Sequence, residues 1–177
     1  YPVENCPYPV YLTAELPSPC LFGLFHPAVY LTPAAVESPE TLRHVLIHET
    51  THARHLDPLW SLLRCVCLAV YWFDPLVWVA AIVSRRDCEL ACDEGALRQL
   101  GESERIPYGQ TLLRLIPVAG RPESPMLSAT TMTAGKRELK DRVTRIAENR
   151  RTMGVALLAM VTAAALVCAL TFTGAKP

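Results

Sequence analysis

The string His48-Glu49-Thr50-Thr51-His52 constrains this chain more than any other five residues in it. Two histidines four apart on a helix stand one turn from each other, about 6 Å along the axis and on the same face. The flanking sequence reads as that helix, over Glu40–His55. Ser38 is placed to cap it and Pro39 to occupy its first position. Leu42, Val45 and Leu46 supply an apolar stripe, and Asp57-Pro58 ends or kinks it.

Imidazoles so placed can converge on one Zn²⁺ at about 2.0–2.1 Å. Glu49, adjacent to the first histidine, can reach a zinc-bound water whose pKa has been lowered to roughly 7, take its proton during attack on a peptide carbonyl, and pass it to the leaving amine. A catalytic zinc needs a third protein ligand and one position left open. Glu89 is the best candidate, 37 residues after His52 and on a separate helix in Glu89-Leu90-Ala91-Cys92-Asp93-Glu94. Its bland alternative is a salt bridge with Arg85 or Arg86. Asp93, one turn further along the same face, could orient His48 or His52 through the free ring N–H, and Asp57 could play a similar part. Glu94 points elsewhere. His44 is expected in packing or behind the ligands, and His55 at the surface. Tyr108 is either an oxyanion donor or an ordinary packing residue.

Upstream, residues 1–39 are rich in proline and β-formers. Val10–Glu15, Leu21–Phe25 and Ala28–Leu31 read as short strands, the last two joined through His26-Pro27. Downstream, Trp60–Ser84 is strongly apolar but carries Arg64, Asp74 and Pro75. It reads as two buried helices broken at Phe73-Asp74-Pro75, with partial bilayer contact as the alternative. Arg85–Gly101 and Ile106–Ile116 are further helices, and 117–135 is a polar loop. Lys136–Arg151 is a basic amphipathic helix with seven Lys/Arg against three acidic residues, presenting Leu139, Val143, Ile146 and Ala147 on one side. Gly154–Phe172 is nineteen residues without a charge, enough to cross a bilayer core of about 30 Å. The basic cluster before it sets that side in the cytoplasm.

These segments divide the chain into a zinc metallopeptidase domain at 1–135, a basic juxtamembrane helix at 136–152, a transmembrane helix at 153–173 and a short tail at 174–177. The fold class is α+β, mainly helical, with a small N-terminal β-hairpin region. A net charge of zero gives no basis for direct nucleic-acid binding. The seven cysteines show no disulfide framework, which suits free thiols in a reducing compartment. Cys65 and Cys67 read as small residues of a buried helix in preference to a soft-metal pair. The chain opens on Tyr1, as a processed chain or a fragment would.

Four stretches together resemble the BlaR/MecR-type membrane zinc metallopeptidases, the antirepressor and sensor-transducer family. They are Ser18–Pro27 with Val29-Tyr30-Leu31, Leu42–Asp57 around the two histidines, Tyr71–Trp78, and Glu89–Glu94. The resemblance covers roughly residues 8–172. It implies a gluzincin-like domain in a cytosolic loop, with a transmembrane helix after it, in a multi-pass protein of the cell membrane. It implies His48, His52 and Glu89 as zinc ligands and Glu49 as catalytic base. The protein substrate would be the chain itself, by autoproteolysis, or a cytosolic repressor. Sensors of this kind also carry a penicillin-binding domain with a serine nucleophile, and no Ser-x-x-Lys motif stands in these residues. Two other readings remain: a membrane quality-control peptidase like the HtpX and CAAX-protease group, and a non-catalytic membrane sensor or scaffold.

Overall fold

The computed structural model describes residues 6–115 and 136–148. Three short strands, β1 (Val10–Leu12), β2 (Cys20–Phe22) and β3 (Ala28–Leu31), form one sheet in the order β1-β3-β2. β2 and β3 are the expected antiparallel pair, with Leu21 opposite Val29. The turn between them depends on Gly23, whose φ is 105° and whose missing Cβ would lie 2.5 Å from the His26 carbonyl oxygen. β1 pairs with β3 in parallel, a pairing that alternation alone does not specify. β1 and β2 also stop short of the expected Glu15 and Phe25.

Helix α1 (Pro39–Arg54) starts as its sequence predicts: the Ser38 hydroxyl accepts from the Thr41 amide at 3.1 Å, with Pro39 in the first turn. Val45 is buried with Val10, Val29, Leu31 and Ala35, and Leu42 and Leu46 pack against them, so the apolar stripe of α1 lies on the sheet. α1 ends in a tight turn through Leu56, which takes the left-handed conformation at φ 58°. α2 (Asp57–Val70) follows at once, with Pro58 in its first turn.

The break between α2 and α3 falls at Tyr71–Asp74, close to the expected place, and Asp74 caps the new helix through the Leu76 amide. Two expectations here need correction. α3 is one helix of 26 residues, Pro75–Leu100, so the stretches read as separate apolar and charged helices are continuous. The composition changes along it because its surroundings change, while nothing interrupts its backbone. Nor are α2 and the start of α3 buried. Trp60, Leu63, Val66, Val79 and Ile82 are exposed, and Trp72 and Leu76 are 69% and 74% exposed, because among the described residues nothing covers the outer faces of this hairpin.

α4 (Arg105–Arg114) and α5 (Lys136–Ala147) complete the described fold. Ala96, Leu100, Tyr108 and Ile146 make a second core joining α3, α4 and α5. Ile146 is buried in it as the amphipathic pattern predicts, but Ala147 is exposed and the buried neighbour on α5 is Arg142. The expected transmembrane helix at 153–173 and the loop 117–135 lie outside the described residues. Among the described residues no helix is long and apolar enough to cross a membrane.

Candidate metal centre

His48 and His52 point from one face of α1 toward α3, and their Nε2 atoms stand 3.1 Å apart. Glu89, from the middle of α3, completes the group: Oε2 lies 3.7 Å from Nε2 of His48 and Oε1 lies 3.9 Å from Nε2 of His52. Two helices that pack along each other thus bring one donor atom from each of three residues to a common point.

The second ring nitrogen of each histidine is held from behind. Nδ1 of His52 is 2.7 Å from Oδ2 of Asp57, which the turn through Leu56 folds back against it. Nδ1 of His48 is 2.8 Å from the Tyr108 hydroxyl, which donates at 2.8 Å to Oδ1 of Asp93. Since both carboxylates only accept, the bonding assigns the proton to Nδ1 in each ring and turns both Nε2 lone pairs toward Glu89.

That donor set fits a small, nitrogen-preferring divalent cation. Ligands at about 2.0–2.1 Å in a tetrahedron stand about 3.3 Å from each other, and the three separations here bracket that value. The electrostatics also call for positive charge. Burial disfavours a charged His52, yet the hydrogen bond to Asp57 and the charges of Glu49, Glu89 and Asp57 push its pKa up to about 9. Burial raises the Glu89 carboxyl, but the His48 hydrogen bond and the Arg142 charge, helped by both imidazoles, hold it well below the usual carboxylate range.

Glu49 is buried on the same helix. Its charge acts on two groups: it helps to raise His52, and it adds to burial in pushing the thiol of Cys20, on the edge strand β2, up to about 11. His55 is exposed, and His44, fully buried, is no part of the cluster. His44 bonds Thr111 Oγ1 at 2.8 Å and Glu104 Oε2 at 3.1 Å and so ties α1 to α4. Asp93 meets His48 through Tyr108 and not directly, its own oxygen being 3.5 Å from Nδ1. Tyr108 is fully buried behind His48, on the ring edge opposite Nε2, which does not fit an oxyanion donor. Its phenol is raised well above its ordinary value by burial and by Asp93. Glu89 has Arg142 as its cationic partner, at 3.0 Å, where the sequence offered Arg85 or Arg86.

Sequence reasoning missed two side chains. Arg142 of α5 reaches Asp93 through Nε and Nη2 at 2.7 and 2.8 Å, as well as Glu89. Cys92, buried, donates to Asp57 Oδ2 at 3.1 Å, and burial with the nearby Asp57 raises its pKa so that it stays a thiol. Cys92 was in view within the Glu89–Glu94 string; nothing local marked Arg142.

The family profile described as BlaR1 peptidase M56 matches residues 5–146. The chain belongs to this family. All the residues of the cluster and its supports, Arg142 included, fall inside the M56 match. Among curated M56 relatives, the chain is 28% identical to "Regulatory protein BlaR1" of Bacillus licheniformis over 130 residues, 73% of this chain and 22% of that protein. It is 27% identical to the "Methicillin resistance mecR1 protein" of Staphylococcus aureus and of Staphylococcus epidermidis over 104 residues, 58% of this chain and 18% of each of those proteins. The chain therefore spans about a fifth of the length of these relatives.

Proposed function

We propose that this chain is the catalytic part of a membrane-anchored zinc metalloendopeptidase that works in bacterial signalling. The observation that carries the reading is the convergence of two imidazole Nε2 atoms, 3.1 Å apart, on the carboxylate of Glu89. Membership of a peptidase family supports the reaction class. The names of the relatives, a regulatory protein and a methicillin-resistance protein, support the signalling context. The substrate is then a protein, either the chain itself or a cytosolic repressor, met on the cytoplasmic side of the membrane.

His48, His52 and Glu89 would hold the zinc, with Asp57 and Tyr108 fixing the two rings. When bound, zinc supplies a Lewis acid and lowers the pKa of a water it holds to roughly 7. Glu49 accepts a proton from the attacking water and returns it to the leaving amine. The outer edge of β2, the strand whose Cys20 feels the charge of Glu49, offers backbone groups along which an extended substrate can pair.

The test is Glu49→Gln in the intact protein. Zinc content stays at one per chain and cleavage of the protein's own chain or its cognate repressor is abolished. Normal cleavage by that variant would overturn the mechanism, and absence of zinc from the unmodified protein would overturn the centre.

A further inference from the structure

A guanidinium beside the ligands of a cation repels that cation, yet Arg142 is there and only 9% exposed. All three of its guanidinium nitrogens are engaged. Nη1 is 3.0 Å from Oε2 of Glu89, while Nε and Nη2 hold the two oxygens of Asp93 at 2.7 and 2.8 Å. A lysine, a single point charge, could not address both carboxylates in this way.

We propose that Arg142 is a positioning residue of the metal centre, so that α5 is a working part of that centre as well as the chain's path onward. The inference rests on the zinc reading above. One arm acts on Glu89 directly and fixes where its carboxylate stands. The other acts on His48 through two intermediates. An Asp93 carboxylate that receives two N–H bonds from a guanidinium offers only acceptor sites. Tyr108 must therefore donate to it, the phenol oxygen must accept from Nδ1–H of His48, and Nε2 keeps the lone pair that a metal needs. Without Arg142, neither the Glu89 carboxylate nor the chain of bonds from Asp93 through Tyr108 to His48 is anchored from α5. Arg142 thus stabilises two of the three ligands in their metal-ready state from a separate helix, 49 residues after Asp93.

The experiment compares the unmodified 177-residue chain with Arg142→Lys and with Arg145→Lys, a control on the same helix. Zinc affinity is measured by competition with a chromophoric chelator, and the visible spectrum of the cobalt(II)-loaded protein reports ligand geometry. Arg142→Lys lowers zinc affinity by about 10–100-fold and alters the cobalt spectrum, whereas Arg145→Lys changes neither. A folded Arg142→Lys protein with unaltered affinity and spectrum overturns the proposal. If that variant does not fold, Arg142→Met combined with Asp93→Asn, which removes both charges of the buried pair, takes its place under the same two criteria. An unmodified chain that binds no zinc would overturn the zinc reading and this inference together.

Discussion

Oδ2 of Asp57 stands 2.7 Å from Nδ1 of His52, five residues back along the chain, and also accepts from the thiol of Cys92 at 3.1 Å. The left-handed Leu56 between the two makes this possible by starting α2 immediately after α1. Asp57→Ala removes the acceptor that orients the His52 ring, and zinc affinity falls by about 10–100-fold. Chelator competition measures this, and unchanged affinity would show that the ring is oriented without Asp57.

Tyr108→Phe removes the phenol's bond to Nδ1 of His48 and one of the two bonds that Oδ1 of Asp93 accepts, both in a buried place. We expect unfolding free energy to fall by about 1–3 kcal/mol, read from urea denaturation of the metal-free chain. Metal affinity falls as well. A variant as stable as the unmodified chain would mean that other groups satisfy both partners.

Metal removal has a sign and a size. A ligand that binds only the folded state at 100 times its Kd adds about 2.7 kcal/mol. Chelation therefore lowers the melting temperature, and zinc restores it. Magnesium does not, because two imidazoles and one carboxylate are a poor site for a cation that prefers oxygen. A melting temperature indifferent to chelator and zinc would contradict the centre.

The exposed hairpin predicts association with lipid. Phe73 and Leu76 stand 67% and 74% exposed at its tip, a larger apolar surface than a chain in water ordinarily leaves uncovered. In vesicle flotation of residues 1–148, which leave out the expected span, Phe73→Ser with Leu76→Ser reduces the bound fraction several-fold and leaves zinc affinity unchanged. Equal flotation of both proteins would assign membrane contact to other residues.

Much of this arrangement was written locally. The Ser38 cap, the Asp74-Pro75 break and the pairing of His48 with His52 each depend on residues within one or two turns, so spacing and capping chemistry reveal them. Glu89 and Asp93, one turn apart, share a face for the same reason. The parallel pairing of β1 with β3 was not legible, since alternation says which residues face a core but not which neighbour a strand chooses. Nor was the hairpin's exposure: an apolar helix has the same sequence whether protein, lipid or water surrounds it. Arg142 was hidden among the seven basic residues dispersed over 136–151, which read as a solvated face until packing singles one out.

α3 runs unbroken from Pro75 to Leu100. At about 1.5 Å per residue, its exposed start lies about 21 Å from Glu89. A rod of that length is a lever. Anything that grips the apolar end and swings it by a few degrees moves the carboxylate arm against the two histidines, which are mounted on a different helix. The hinge needs no loop to carry the message, because grip and ligand belong to the same stiff piece of backbone.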